Sequence, residues 1–311
     1  MNVGLQLLQS ALVVLAAPLV LGWVNICRAW LQNRSAPSIL LPYYTLAKLF
    51  HKDAIIASTA SPVFRITPYV LFGCMALAAG IVPVLATDLP FAPAADIIAL
   101  VGLFATARVF AALAAMDTGT SFGGLGARRE MLVGFLAEPA MLMTLFTAAF
   151  ISGSTQLPTI VDTLAHREFA IYPSLAFAAV AFLMVLLAEN ARVPVDNPTT
   201  HLELTMLHEA QILEYSARHL ALVEWAAAIK LVAYMTIGFA LFLPWGIAAG
   251  SWEAIPVALG ALALKLVAAG AGLALIETLL AKMRIFMVAE FLSTAFLLAV
   301  LGMLTHFLVH G

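Results

Sequence analysis

Runs of eighteen or more mostly apolar residues recur along this chain from one end to the other, each long enough to cross a hydrocarbon layer about 30 Å thick. A segment in lipid must satisfy its own backbone N–H and C=O groups, so each run is expected to fold as a helix. The expected fold class is all-α. The chain reads as a polytopic membrane protein, one integral-membrane domain over residues 1–311, with about eight transmembrane helices and a long acidic cytoplasmic loop between helices 5 and 6. The spans are expected at about 4–27, 66–87, 96–116, 131–152, 171–189, 221–246, 254–277 and 285–308. The first basic residue, Arg28, follows the first apolar run instead of preceding it, which marks that run as a retained helix. No internal repeat is visible, which argues against an independent secondary transporter.

In a chain that is 63% hydrophobic and 10% charged, the placement of the charges carries most of the information. Glu189, Asp196, Glu203, Glu209, Glu214 and Glu224 gather six of the seventeen acidic residues into one short region. Pro194 and Pro198 break the backbone where an apolar run ends, and Thr200 with Glu203 reads as a capping box that restarts a helix. Basic residues give the orientation. Arg28, Arg34, Lys48, Lys52, Arg65, Arg128, Arg129, Arg192, Arg218, Lys282 and Arg284 lie in odd-numbered connections; the even ones carry only Arg167, in a polar loop with Asp162 and Glu168. The positive-inside rule then makes the odd connections cytoplasmic and puts both termini outside; the cell inner membrane is the expected location. Between Pro42 and Lys52 a rough helical rhythm predicts either an amphipathic helix at the interface or a plain polar-faced connector.

Arg108, Glu138, Lys230 and Lys265 fall in mid-span, and Glu130, Glu189, Glu224, Glu277 and Glu290 nearer the span ends. A charge at the bilayer centre costs about 2.5–3.5 kcal/mol on insertion scales unless it is paired or hydrated. The functional reading is a proton or ion relay; the structural one is fixed ion pairs, or contacts to a neighbouring subunit. Glu130 and Glu138 are separated by about 12 Å along one helix face, a spacing that suits water between two carboxylates. Arg108 is the candidate counter-charge for Glu138. Other motifs fail. His208-Glu209 is followed by Ile212 where a zinc protease needs His, and His201 and His208 alone make no metal site. The glycine-rich stretch Thr118–Gly126 lacks the Lys-Ser/Thr of a phosphate loop and reads as a tight turn. Cys27 and Cys74 form no ligand-spaced set, so no metal centre is expected in this chain, and no basic run points to nucleic acid.

Ala188-Glu189, Arg192, Pro194, Asp196, Pro198, Glu203-Leu204 and Glu214-Tyr215-Ser216 together resemble the quinone-site membrane subunit of respiratory complex I, the complex I subunit 1 family. The resemblance is closer to the homologous subunit of membrane-bound [NiFe]-hydrogenases of the formate hydrogenlyase and hydrogenase-4 type. Ala107-Arg108, Phe110, Met116-Asp117-Thr118-Gly119, Gly126-Ala127-Arg128-Arg129-Glu130, Glu138-Pro139 and Leu279–Arg284 after Glu277 carry that preference. The resemblance implies a membrane-anchoring, energy-coupling subunit without a cofactor of its own. The implied partners are a peripheral hydrogenase-like large subunit, an iron–sulfur small subunit and antiporter-like membrane subunits, besides membrane lipid. Iron–sulfur clusters, and nickel–iron where the large subunit keeps its ligands, belong to those partners. The resemblance further implies that Glu130, Glu189 and Glu203 lead from the cavity into the membrane; with the charges found in the spans, the ion-path candidates are Arg108, Glu130, Glu138, Glu189, Glu224, Lys230, Lys265 and Glu277. Arg34, Arg192, Asp196, Glu203, Glu209 and Glu214 would face the arm or border a quinone-like cavity.

Two departures bear against a quinone site. Family members carry Arg-x-Gly-Pro in the first loop, where this chain has Arg34-Ser35-Ala36-Pro37, and Ala36 lacks the φ > 0 freedom of glycine. The connection from Glu203 to Glu214 is also longer than the quinone-type pattern. The alternative reading remains a quinone-site subunit of an NADH-quinone oxidoreductase-type complex.

Overall fold

The computed structural model describes residues 2–87, 89–166, 173–196, 208–247 and 254–310. In chain order the helices are α1 (Asn2–Leu31), α2 (Leu41–Phe50), α3 (Pro62–Ile81), α4 (Ile97–Asp117), α5 (Ser121–Ser152), α6 (Leu157–His166), α7 (Pro173–Glu189), α8 (His208–Ile212), α9 (Ala217–Phe242), α10 (Ile255–Leu279) and α11 (Ile285–His310). There is no strand among the described residues. Seven helices (α1, α3, α4, α5, α9, α10 and α11) are long and apolar enough to cross a membrane. The eighth expected span is α7, whose 17 residues sit at the short end of what can cross.

Several expectations shift. The glycine-rich stretch is not a turn throughout: Thr120 accepts a hydrogen bond from the Gly123 N–H as an N-cap, and α5 starts at Ser121, ten residues before the expected span. Only Gly119, at φ +73°, supplies the turn. Residues 42–50 are helical, as α2, and the polar loop after the fourth span holds α6, which carries Asp162. Arg167, Glu168, the Thr200–Glu203 capping box and His201 lie outside the described residues. In the first loop the left-handed residue is Asn33, at φ +53°, so Ala36 is not asked to adopt glycine's conformation.

The two glutamines of the apolar helix α1 serve the residues after α3. Gln9 donates to the Val82 carbonyl at 2.8 Å and accepts from the Val84 and Leu85 N–H groups, while Gln6 donates to the Gly80 carbonyl at 2.7 Å. They satisfy backbone groups freed where Pro83 ends α3, groups that would be costly to bury unbonded. Proline inside a helix raises the same problem, because it lacks the N–H that would serve the carbonyl four residues earlier. Pro18 frees the Val14 carbonyl, and the Trp225 indole donates to it at 2.9 Å. Pro68 frees the Phe64 carbonyl, and the Tyr215 hydroxyl donates to it at 3.1 Å while its ring stacks on Phe64. Burial pushes the Tyr215 phenol up, so it stays a donor.

The connections after α1, α4, α7 and α10 meet at one end of the bundle. Ser216 exchanges hydrogen bonds with the Ile55 backbone, Asp117 accepts from the Ser61 N–H at 2.7 Å, and Thr59 donates to the Thr118 carbonyl. At the other end the residues before α4 pair with those before α6.

Candidate functional site

α7 ends in a Schellman turn: the Arg192 N–H bonds the Leu187 carbonyl at 2.9 Å and the Ala191 N–H the Ala188 carbonyl. Ala191 holds the left-handed position, φ +50°, that glycine usually takes. That turn reverses the chain just after Glu189 and sends Glu189 to one charge cluster and Arg192 and Asp196 to another.

Glu189 goes inward. It is 5% exposed and bonds the Arg108 guanidinium from α4, whose other terminal nitrogen bonds Glu138 on α5. Lys230 on α9 reaches Glu189 Oε2 at 2.9 Å and its backbone carbonyl at 2.6 Å. Arg108 has room because Gly134 has no Cβ; an atom there would fall 2.3 Å from Arg108 Nη1 and 2.5 Å from its Cδ. The four charges therefore pair across four helices, which a low-dielectric interior requires of charges that remain ionised. Tyr234, one turn beyond Lys230, lies under this cluster against Phe104.

Arg192 goes outward to Glu277 on α10, at 3.0 Å, and Arg28 at the end of α1 approaches the same carboxylate at 3.6 Å. Asp196 accepts from Lys282 at 2.7 Å, and the Met283 N–H bonds the Pro194 carbonyl, so the α10–α11 connection is tied to the residues after α7. Arg28 and Lys282 belong to this second cluster although the residue pattern singled out neither; Arg28 pairs with an acid six spans on and Lys282 with one two spans back, so only tertiary pairing reveals them.

Both clusters border one cavity of about 360 Å³. Leu21, Leu71, Met75, Phe104, Val223 and Leu231 form its apolar wall; Arg108, Glu130, Glu189, Arg192, Asp196, Glu209, Glu224 and Lys230 line the other sides. Gln211, on α8 and 3% exposed, presents an unbonded Nε2 there, as Asn190 presents Oδ1. A buried polar atom without a partner needs a water or ligand, and this cavity has room for several waters. Glu224 also lines a smaller adjoining cavity among α1, α2 and α9.

The remaining candidates separate. Lys265 is not among the residues lining the main cavity; its ammonium caps the C-terminal carbonyls of α9, Leu243 at 2.6 Å and Trp245, and lies 4.4 Å from the Trp245 ring centroid. Those carbonyls and that ring explain its burial without a carboxylate. Arg34 and Glu214 are exposed at the end where the basic connections meet. Glu203 lies outside the described residues. Among the described residues no group of three or more His, Cys, Asp or Glu could hold a metal ion.

Residues 5–308 match the family model for NADH dehydrogenase. Formate hydrogenlyase subunit 4 of Escherichia coli (strain K12) is 32% identical over 290 residues, 92% of this chain and 92% of its own. Hydrogenase-4 component C of the same organism is 34% identical over 241 residues, 77% of this chain and 75% of its own. Among solved structures, a chain of the membrane-bound sulfane sulfur reductase, an archaeal respiratory membrane complex, matches with a TM-score of 0.79 over 96% of this chain and 98% of its own. At 20% identity that match is a likeness of fold.

Proposed function

This chain belongs to the NADH dehydrogenase family, that of complex I subunit 1, and we propose that it anchors and couples: it is the energy-coupling membrane subunit of a complex I-like, hydrogenase-type assembly. The observation that carries the coupling role is Glu189. Its carboxylate is shared by Arg108 and Lys230 at the wall of a cavity that Glu130, Glu209 and Glu224 also line. A carboxylate held between two cations beside further acids can change its charge partners as the cavity changes protonation, which is what an ion path needs.

In this reading the end bearing the basic connections faces the cytoplasm and receives a peripheral arm made of a hydrogenase-like large subunit and an iron–sulfur small subunit. Antiporter-like subunits pack alongside in the membrane. The redox centres sit in the arm, and Arg34, Glu209 and Glu214 contribute to the docking face. Purifying the native assembly, identifying its chains and assaying nickel tests this directly. Co-purifying redox subunits support the reading; a chain that purifies alone and moves solute in liposomes overturns it. Reporter fusions after Lys52, Arg129, Arg218 and Arg284 test the orientation and should all read cytoplasmic.

A second reading, a quinone-site subunit, draws on the cavity itself. Its apolar wall suits a hydrophobic ring, and the free Nε2 of Gln211 suits a carbonyl oxygen. A quinone would supply a two-electron acceptor at that position. Quinone co-purifying in stoichiometric amount with the assembly, and lost on Gln211→Leu, favours this reading.

A further inference from the structure

Of the three carbonyls freed by helix-internal prolines, two have side-chain donors. The third is at Phe135, four residues before Pro139 on α5, and no side chain among the described residues donates to it. Phe135 is itself 78% exposed, and Pro139 lies on the same exposed face. Glu138, between them, has a side chain 34% exposed; its Oε1 bonds Arg108, and Oε2 has no hydrogen bond to any described residue. These groups lie about 10 Å inside the apolar run that begins at Met131. Around them Met131, Leu132 and Phe135 are apolar and exposed.

A face of this kind suits neither solvent nor lipid. Hydrocarbon cannot serve a freed carbonyl or a carboxylate oxygen, and each such group left unbonded in lipid costs several kcal/mol. Water would leave the large apolar residues exposed instead. An apolar helix carrying a donor side chain serves both, since polar side chains across a helix–helix contact bond well in membranes.

We propose that the outer face of α5 over Phe135, Glu138 and Pro139 is covered by a transmembrane helix of another subunit, and that this helix carries a side chain donating a hydrogen bond to Glu138. The proposal rests on the reading of this chain as a subunit of a membrane complex. It adds the surface at which one membrane partner packs and the chemistry of that partner.

The test is a photo-crosslinking residue, p-benzoylphenylalanine, placed at Phe135 in the assembled complex in native membranes. Met131 is the second position, should the first impair assembly. Co-purification is measured first, on the unmodified complex, and bears on the complex-subunit reading alone. In the intact complex the expected result is a covalent adduct with a spanning segment of another subunit. That segment should carry a hydrogen-bond donor side chain (Arg, Lys, His, Asn, Gln, Ser, Thr, Tyr or Trp) within one turn of the adduct. Adducts with phospholipid only, or with a helix that has no such side chain near the adduct, overturn the proposal.

Discussion

Lys230 meets Glu189 twice, in an ion pair with the carboxylate Oε2 at 2.9 Å and in a hydrogen bond to the backbone carbonyl at 2.6 Å, so one ammonium both neutralises the buried acid and caps the last turn of α7. The carboxylate keeps its second cation, Arg108, on the other oxygen. Removing Lys230 therefore opens a charge and a helix end together. Lys230→Met should lower the stability of the assembled complex by about 3–5 kcal/mol, the range for breaking a buried pair. Thermal denaturation against the unsubstituted complex reads it. A loss under about 1 kcal/mol, the range of an exposed pair, would show Glu189 to be solvated in the assembly.

Lys265 supplies the contrast. It caps the end of α9 instead of a carboxylate, so Lys265→Met should cost only about 1–3 kcal/mol, the penalty for unbonded buried carbonyls. The ion-to-electron ratio of the complex in vesicles should stay unchanged. A fall in that ratio would return Lys265 to the ion path.

Gly134 seats Arg108. In Gly134→Ala the new Cβ meets a guanidinium already held by Glu138 and Glu189, so one of those bonds must lengthen. The variant should lose coupling, and Arg108→Lys, which cannot hold both carboxylates with one planar fork, should lose it too. Gly102→Ala, where a Cβ meets nothing within 4 Å, should leave coupling intact and stabilise α4 by about 0.5–1 kcal/mol. Equal behaviour of the two alanine variants in vesicle assays would refute the seat.

Trp225 serves the carbonyl that Pro18 frees, so their effects should not add. Trp225→Phe alone is expected to cost about 1–3 kcal/mol by leaving the Val14 carbonyl unbonded. In a Pro18→Ala background the restored N–H reaches that carbonyl, and the same substitution should cost clearly less. Denaturation midpoints of the four variants check it; additive losses would mean the indole bond is incidental.

The apolar runs announced the spanning helices, because membrane insertion depends on local composition that any window of the chain displays. The Arg108–Glu138 pairing was legible too: two mid-span charges of opposite sign on consecutive spans have few other partners. Glu189 as their shared junction was not, since its partner Lys230 lies on a helix two spans beyond Glu138's and only packing brings them together. The helix-capping contacts of Lys265 were not legible for a related reason, in that mid-span placement does not distinguish a charge facing acids from one capping a helix end. The roles of Trp225 and Tyr215 were half-visible. Pro18 and Pro68 declare which carbonyls are freed, but not which side chain arrives. Thr120 as an N-cap was in plain view and was outweighed by the glycines after it.

If Glu189 and its neighbours carry charge between a redox arm and the membrane, ion translocation must depend on their ability to ionise. Ion translocation by the assembled complex in sealed vesicles, normalised to its redox rate, is to be measured for Glu130→Gln, Glu138→Gln and Glu189→Gln. Glutamine keeps the size of each side chain and one carbonyl acceptor, so the Arg108 contact of Glu189 can persist, and it removes the ability to change charge. The complexes should assemble with a lowered ratio, lowest for Glu189→Gln. A ratio unchanged in all three would mean that these charges are architecture and carry nothing.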